Sequence, residues 1–403
     1  MKPILIVGAG LAGYTVAREL RKLDKAIPIV IVTADSGGFY SKPMLSNAFA
    51  QGKTAAQLAS QDAGKMAQQL DATILANTQV HAIDSVGKSI DTGHGPLDYD
   101  RLVLAVGASP IRLKLAGDAA NSVMSVNHLA HYQALRDRLD SRSGPSRIAI
   151  LGAGLIGCEF ADDLAGAGHR VTLIDPQAQP LAAIAPHDVG SALAEALVRR
   201  GVTLRLGVSA VEINHVRGEF DLSLGNGDIV AADLVLSAVG LRPDLQLAKQ
   251  AGLATERGIV VDAFGQTSAP DIYALGDCAQ YGLDDGTSTT LPYIAPLMSA
   301  ARAIAQTLAG TPTKIDLKAA PVIVKTPSCP IALVPAPLHA REAGTWHGTK
   351  EGSVVLTRFY DQDGVMRGFA VTQQDAKLRQ QLLGELGELG EPGTGGGPRL
   401  HAA

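Results

Sequence analysis

Two glycine-rich turns are the parts of this sequence best suited to a chemical task. Each follows a short apolar run and has glycine at its first, third and sixth positions, at Gly8, Gly10 and Gly13 and again at Gly152, Gly154 and Gly157. In such a turn the first glycine permits a tight bend, the second lets the backbone approach a pyrophosphate, and the third allows close helix–strand packing. The pyrophosphate then lies at a helix N-terminus, where free N–H groups favour an anion. One such turn is a weak signal, but two in one chain predict two dinucleotide sites.

Two dinucleotides in one protein suggest a flavin and a nicotinamide that exchange a hydride. Asp175 follows the strand after the second turn, where a carboxylate accepts hydrogen bonds from ribose hydroxyls and repels a 2′-phosphate. No arginine or lysine follows within residues 176–180, which favours NADH over NADPH; the alternative is an Asp-Pro turn residue. The strand after the first turn ends in Thr33, Ala34 and Asp35. Asp35 is either a ribose ligand placed later than usual or a simple turn aspartate.

A third signal is a predicted strand that ends in Gly276 and Asp277. It places a carboxylate at the C-terminal edge of a sheet, where the ligands of α/β proteins bind. A helix predicted at residues 296–308 follows, and its N-terminal dipole would stabilise an anionic reduced flavin if it points at the ring. Its apolar stripe is also expected to pack in the core, and the two roles are compatible. The polar-basic turn at residues 40–46 is, on composition alone, a surface loop with one solvated lysine.

The elements around these motifs predict an α/β protein with two Rossmann-like dinucleotide-binding domains, for FAD and for NAD, and a small α+β C-terminal domain. The FAD domain is expected in two parts, because the chain returns to it after the NAD domain. The Gly/Pro-rich end of the chain is expected to be disordered. The predicted boundaries are 1–110 and 244–320 for the FAD domain, 111–243 for the NAD domain, 321–386 for the C-terminal domain and 387–403 for the disordered tail.

Composition excludes several classes of function. The chain has 403 residues and a net charge of −4, which does not point to nucleic acid or to anionic lipid. No apolar run approaches the roughly 20 residues needed to span a bilayer. Residue 1 leads directly into the first predicted strand, so we expect no signal peptide. The three cysteines, Cys158, Cys278 and Cys329, form no CxxC pair and no metal set. We therefore expect a cytoplasmic protein with no structural disulfide and no membrane insertion.

The motifs in this order resemble those of the FAD-dependent pyridine-nucleotide oxidoreductases of the glutathione-reductase fold. Within that family the chain is similar to the NADH–rubredoxin reductases, and the resemblance covers roughly residues 3–380. YSKPMLS at 40–46 and VKTP at 324–327 separate this group from the wider family. The other segments that carry the resemblance lie at residues 8–14, 152–161, 237–243 and 273–279.

The resemblance implies a role for individual residues. Lys42 and Lys325 match lysines near the isoalloxazine ring, and Glu159 matches a carboxylate at the nicotinamide–flavin junction, although it could also be a helix-first-turn glutamate. We expect Lys42 and Glu159 to be the catalytic residues and to pair beside flavin N5. The residues implied to hold FAD are Gly8, Ala9, Gly10, Leu11, Ala12, Gly13, Thr33, Ala34, Asp35, Lys42, Val80, Glu159, Asp277, Ile294 and Lys325, and those implied to hold NAD are Gly152, Gly154, Leu155, Ile156, Gly157, Asp175 and Gly240.

The resemblance also implies a reaction and a partner. NADH would pass a hydride to the flavin, which would deliver single electrons to rubredoxin, a small and usually acidic carrier, in a pathway such as hydrocarbon hydroxylation. A thiol relay is not expected, since Ser41 and Lys42 stand where related enzymes carry an active cysteine. Lys42, Lys325, Arg302 and Arg112 are candidates for a basic rim. The alternatives are a ferredoxin or flavorubredoxin reductase, a nicotinamide-sensing FAD protein with little turnover, and an NADH oxidase, which the missing cysteine disfavours.

Overall fold

The chain forms two compact units, and each is assembled from separate stretches of sequence. The computed structural model describes residues 1–283, 286–373 and 375–390. The first unit contains the three segments Met1–Lys42, Ala55–Ser109 and Leu241–Lys318. The second contains Pro43–Thr54, Pro110–Gly240 and Ala319–Ala403. The short segment Pro43–Thr54 therefore belongs to the second unit, although the residues on either side of it belong to the first.

A five-stranded parallel sheet organises the first unit. Its strands are almost entirely apolar, because helices and loops cover a parallel sheet on both faces. The glycine loop of the first motif leaves the strand in the middle of the sheet, whose neighbours end at the same edge. In spatial order the strands are Ile272–Ala274, Arg101–Leu104, Ile4–Val7, Ile29–Val32 and Thr73–Leu75.

Two long helices complete the core of the first unit. Leu11–Leu23 follows the first glycine turn and packs against Ile294–Leu308. The predicted apolar stripe of the second helix is buried, with Ala300, Ala301 and Ile304 fully inaccessible. The shorter helices of this unit are Ala55–Leu58, Ala63–Leu70 and Gln246–Gln250, and its remaining strands are Phe39–Tyr40, Ala59–Gln61, Ala82–Asp84, Ser89–Asp91, Pro96–Asp98, Ile259–Val261, Ala279–Gly282 and Ser288–Thr290. Short strands Ala108–Pro110 and Leu241–Pro243 lie where the chain passes between the units.

The second unit contains a four-stranded parallel sheet with the same local plan. Its strands lie in the order Thr203–Leu206, Arg170–Asp175, Arg147–Leu151 and Leu234–Ser237. The helices are Leu129–Asp140, Leu155–Gly166 and His187–Arg199, and a three-stranded antiparallel sheet is formed by Ala210–Val216, Glu219–Leu224 and Ile229–Ala232. Both glycine turns thus connect a buried parallel strand to a helix, as predicted.

The C-terminal part of the second unit is an antiparallel sheet with one helix, Ala376–Gly384. At the start of the predicted tail, the Met366 N–H donates to the Glu388 carbonyl and the Gly390 N–H donates to Gly364, both at 2.9 Å. Residues 391–403 lie outside the described residues. The strands, in spatial order, are Val322–Val324, Ile331–Val334, Met366–Thr372, Val354–Tyr360 and Thr345–Glu351.

The predicted fold class is confirmed: α/β, with two dinucleotide-binding sheets and a small α+β C-terminal part. Among the helices of the described residues, none has the length and apolar character to cross a bilayer.

Candidate functional site

The first glycine loop lies at the C-terminal edge of the parallel sheet in the first unit. Gly8 follows the strand Ile4–Val7 with φ of 112°, and a Cβ there would collide with the Ala105 carbonyl oxygen. A Cβ on Gly13 would collide with the Gly8 carbonyl oxygen, whereas the Cβ position of Gly10 has nothing within 4 Å. The packing of the loop itself therefore requires the first and third glycines. The second leaves open space at a helix N-terminus, which is what a bound pyrophosphate needs.

Asp277 lies beside this loop because the preceding residue, Gly276, packs closely on the helix that follows the loop. Gly276 has φ of 76°, and its Cβ position is 3.3 Å from the Cβ of Ala12. The Nζ of Lys42 is 3.9 Å from the Oδ2 of Asp277. Burial lowers the pKa of the Lys42 ammonium, and the negative charge of Asp277 opposes that change. A carboxylate and an ammonium group thus flank the edge of the first glycine loop.

The end of the strand that follows the first turn is held by local hydrogen bonds. The Thr33 hydroxyl and the Gly37 N–H both donate to the Oδ1 of Asp35 at 2.8 Å. The Thr78 N–H donates to the Thr33 carbonyl at 2.8 Å, which brings the segment before the buried Val80 alongside this strand end. These bonds give Asp35 the role of a turn aspartate, and its contact with a ribose stays a prediction.

The second glycine loop repeats the geometry of the first. Gly152 has φ of 103°, and its Cβ position is 2.7 Å from the Ala238 carbonyl oxygen. A Cβ on Gly157 would collide with the Gly152 carbonyl oxygen, and the Cβ position of Gly154 again has nothing within 4 Å. Both sequence motifs therefore form loops with one open glycine, suited to a diphosphate, at a helix N-terminus.

Asp175 is oriented toward the second loop by two main-chain donors. The Ala153 N–H donates to its Oδ2 at 2.6 Å, and the Gln177 N–H donates to its Oδ1 at 2.7 Å. Each carboxylate oxygen has a further lone pair for a ribose hydroxyl. Ile156, on the first turn of the helix, keeps 41% of its surface exposed, and Gly240 has φ of 109° in the loop after the last strand of this sheet.

Glu159 is the centre of a polar cluster within the second unit. Its side chain is fully buried on the helix Leu155–Gly166. One carboxylate oxygen, Oε2, accepts a hydrogen bond from the Ser46 hydroxyl and another from the Lys325 ammonium at 2.9 Å. The other oxygen, Oε1, accepts the main-chain N–H of Lys325 at 2.8 Å. Three donors thus neutralise and orient a carboxylate that would otherwise be costly to bury.

Two further buried carboxylates on the same helix were not predicted from the sequence. Asp162 accepts the N–H and hydroxyl of Ser328 at 2.9 and 3.0 Å. Asp163 accepts the N–H groups of Phe49 and Ala50 at 2.8 and 3.1 Å. The sequence did contain a signal for them, because three acidic residues lie within five positions of an otherwise apolar helix. Carboxylates on a buried helix need hydrogen-bond partners, so this pattern indicates contacts with other segments. Together the three fasten both the segment Pro43–Thr54 and the C-terminal sheet to this helix.

Asp163 gives the stability of the protein a specific pH dependence. Burial raises its pKa from 3.8 to about 6, and the N–H donors of Phe49 and Ala50 only partly oppose this rise. Because the folded pKa lies above the unfolded one, this group contributes stability at low pH that is lost as the pH rises from about 4 to 6. Relative to the Asp163→Asn variant, we expect the free energy of unfolding of the unchanged protein to fall by about 2–3 kcal/mol between pH 4 and pH 7.

Urea unfolding of both proteins at several pH values measures this difference directly. An Asp363→Asn variant, which changes an exposed aspartate in the same unit, is the control. Its free energy of unfolding is expected to differ from that of the unchanged protein by the same amount at every pH. An equally flat difference for Asp163→Asn would mean that Asp163 does not retain its proton in the folded protein.

The predicted pairing of Lys42 with Glu159 stays a prediction, because the two residues belong to different units. Within the second unit Lys325 pairs with Glu159, and within the first unit Lys42 pairs with Asp277. Lys42 and Arg302, two members of the predicted basic rim, belong to the first unit. The other two, Arg112 and Lys325, belong to the second unit.

The cysteines are placed for packing rather than for redox chemistry. All three are buried and free. Burial raises the pKa of Cys278 and of Cys329 to about 11 and raises that of Cys158 further, so none is a ready thiolate. Within the described ranges, no cluster of three or more histidine, cysteine, aspartate or glutamate side chains is arranged to hold a metal ion.

Comparisons with known proteins match both units. The family described as pyridine nucleotide-disulphide oxidoreductase matches residues 2–307, and a rubredoxin binding C-terminal domain matches residues 314–386. The chain is 42% identical to the rubredoxin-NAD(+) reductase of Alcanivorax borkumensis, over 96% of this chain and 99% of that protein. It is 38% identical to the nitric oxide reductase FlRd-NAD(+) reductase of Aeromonas hydrophila, over 96% of each. The crystal structure of a covalent putidaredoxin reductase–putidaredoxin complex matches with a TM-score of 0.86 at 26% identity, covering 96% of this chain and 94% of that one.

Proposed function

The chain belongs to the pyridine nucleotide-disulphide oxidoreductase family, and from this premise we propose that it carries electrons from NADH through FAD to rubredoxin. The observation that carries the choice of partner is the rubredoxin-binding domain at residues 314–386, which coincides with the antiparallel C-terminal sheet. The near full-length similarity to a rubredoxin-NAD(+) reductase supports the same reaction.

The residues present fit both cofactors. The loops at Gly10 and Gly154 each leave open space at a helix N-terminus, where a diphosphate can accept hydrogen bonds from main-chain N–H groups. In our proposal the first loop and Asp277 hold FAD. The second loop and Asp175 hold NADH, and Asp175 disfavours a 2′-phosphate by charge repulsion. When bound, FAD supplies the redox chemistry, because it accepts a hydride from NADH and gives up single electrons to a carrier.

The protein's own side chains then have positioning and electrostatic tasks. Glu159 is held in one position by Ser46 and Lys325, so its side chain and the Lys325 ammonium form a fixed pair. Lys42 and Asp277 form a second, looser pair in the first unit. We propose that Glu159 and Lys325 orient the nicotinamide ring and that Lys42 and Asp277 orient the flavin ring. The buried cysteines are inert, so a thiol intermediate is not part of the proposed reaction.

A flavorubredoxin reductase is the second candidate, with the same chemistry and another carrier. The observation that favours it is the 38% identity to the nitric oxide reductase FlRd-NAD(+) reductase over 96% of the chain. A ferredoxin partner and a nicotinamide-sensing role are further alternatives. We also propose a cytoplasmic location, which the three free cysteines support because a reducing compartment keeps thiols unpaired.

The direct test is anaerobic reduction of the purified flavoprotein by NADH, followed by mixing with oxidised rubredoxin and, separately, with a ferredoxin or a flavorubredoxin. We expect fast bleaching of the flavin and then fast bleaching of the rubredoxin absorbance, with little transfer to ferredoxin. Flavin reduction without transfer to rubredoxin would indicate that the partner is a ferredoxin or a flavorubredoxin. Very slow flavin reduction would indicate a sensing role.

The transfer step is expected to depend on salt. An acidic carrier that meets a local basic rim is steered electrostatically, and this attraction is screened over about 8 Å at physiological ionic strength. We expect the second-order rate constant of rubredoxin reduction to fall at least threefold between about 50 and 500 mM salt. Flavin reduction by NADH involves no carrier and serves as the reference step in the same samples. A carrier rate that stays constant with salt would exclude the charged rim.

A further inference from the structure

Lys325 has an environment that is unusual for a lysine with a flexible side chain. Its ammonium donates to the Pro43 carbonyl at 2.6 Å, to Asn47 Oδ1 at 3.0 Å and to Glu159 Oε2 at 2.9 Å. One third of its side chain is exposed, whereas Glu159 is fully buried. Lysine ammonium groups carry three donors, so this one has an acceptor for each. The lysine is thus fixed by two distant segments of chain, Pro43–Thr54 and the helix that bears Glu159.

Asn47 contacts Lys325 at both ends of that residue. Its side-chain Oδ1 accepts from the ammonium, and its Nδ2 donates to the Lys325 main-chain carbonyl at 2.6 Å. A carboxamide can accept and donate at once, which neither a carboxylate nor a hydrocarbon side chain of that size can do. Asn47 is itself anchored, since its N–H donates to Met44 at 3.2 Å and its carbonyl accepts from the Gln51 side chain at 2.6 Å.

We propose that Asn47 is a positioning residue, which holds the Lys325 ammonium against the Glu159 carboxylate. A lysine stem has many rotamers, and one partly exposed ion pair selects among them only weakly. The double contact from Asn47 selects the rotamer in which the ammonium meets Glu159. The consequence for catalysis rests on the proposed function: the charge pair that orients the nicotinamide ring would depend on an uncharged side chain outside both glycine motifs.

The first test measures the lysine directly and needs no turnover. In the Asn47→Ala variant the ammonium loses one acceptor and the Lys325 carbonyl loses its donor, so the side chain becomes more mobile. We expect Lys325 in the flavin-loaded protein to react with a limiting amine acetylation reagent at least threefold faster than in the unchanged protein. Peptide mass spectrometry gives the rate, and the exposed Lys350 and Lys377 in the same samples serve as internal references.

Two further variants separate the specific effect from loss of fold. Asn47→Asp keeps an acceptor for the ammonium but loses the amide donor and places a carboxylate oxygen against the Lys325 carbonyl, so its Lys325 is expected to be labelled at a rate between those of the unchanged protein and Asn47→Ala. Asn226→Ala, in an exposed turn of the same unit, is the matched control and should leave the labelling of Lys325 unaltered. Labelling of Lys325 at the unchanged rate in Asn47→Ala, or an equal rise in Asn47→Asp, would overturn the proposal.

The second test concerns the reaction. We expect the limiting rate of flavin reduction by NADH to fall about tenfold in Asn47→Ala, with unchanged flavin content and NADH affinity, and to recover in part in Asn47→Asp. Faster labelling with an unchanged limiting rate would overturn the catalytic part and leave Asn47 as a structural residue. Failure of the proposed function has a different signature, because rubredoxin would then remain oxidised even with the unchanged protein.

Discussion

Replacing Gly10 with alanine is expected to give a folded protein that has lost most of its flavin, whereas Gly154→Ala keeps its flavin and binds NADH at least tenfold more weakly. Both glycines have extended backbones, with φ of −77° and −72°, so alanine is allowed at each. Neither Cβ position has an atom within 4 Å, so the fold itself loses nothing. The new methyl group instead occupies the space into which a diphosphate must approach the helix N-terminus.

The ratio of flavin to protein absorbance measures the first effect, and stopped-flow titration of flavin reduction with NADH measures the second. Gly13→Ala provides the contrast, because its Cβ would collide with the Gly8 carbonyl and the loop could not form at all. The two open glycines thus report which loop serves which cofactor. Flavin loss from Gly154→Ala, or full flavin retention with weak NADH binding in Gly10→Ala, would reverse the assignment of the two loops.

The second large effect is expected from Glu159→Gln. Glutamine keeps the shape of the side chain but removes the charge, so the Lys325 ammonium loses its counterion and all three donors face an amide instead of a carboxylate. Breaking a buried pair typically costs 3–5 kcal/mol. Because Lys325 is one-third exposed and can hydrate, we expect about 2–3 kcal/mol of lost stability. Loss of the fixed charge should also slow flavin reduction by about 100-fold.

Rapid-reaction measurement of flavin bleaching and thermal unfolding of the same sample give both effects. Glu195→Gln is the control, since Glu195 forms an exposed pair with Arg199 in the same unit and such pairs contribute little. If the Glu159→Gln protein is destabilised but its flavin is reduced at the normal rate, the role of Glu159 is structural only. An unaltered stability would contradict the buried geometry of the pair.

The parts of the fold that could be predicted are those with local signals. An apolar strand, a glycine turn and a helix follow one another directly, and the helix after the first turn spans Leu11–Leu23. The strand Thr345–Glu351 was not predicted, because it is an edge strand with polar and mostly exposed residues and shows no alternation. Ala210–Val216 and Ile229–Ala232 were missed as well. Both strands have exposed and partly buried residues in a small sheet and lack a long apolar run.

The candidate site was predictable only in part, for a related reason. The glycine loops are encoded within a few residues, so their geometry follows from the sequence. The partners of Glu159 are not, since Ser46 lies 113 and Lys325 lies 166 positions away. A periodic pattern identifies a buried face but carries no information about which distant segment covers it. The contact of Lys325 with Glu159 was not predicted for this reason, because two lysines matched the same region of the family.

The discontinuous first unit has a consequence for how the protein is made. The strand Ile272–Ala274 is synthesised about 170 residues after its sheet neighbour Arg101–Leu104. At about 5–20 residues per second, the ribosome needs roughly 10–35 s to supply it. For that interval the nascent chain carries an apolar strand with an unpaired edge, the kind of surface that aggregates unless it is shielded. In our proposal Asp277 holds FAD, so flavin insertion would wait until Gly276 and Asp277 have emerged, after synthesis of at least two thirds of the chain.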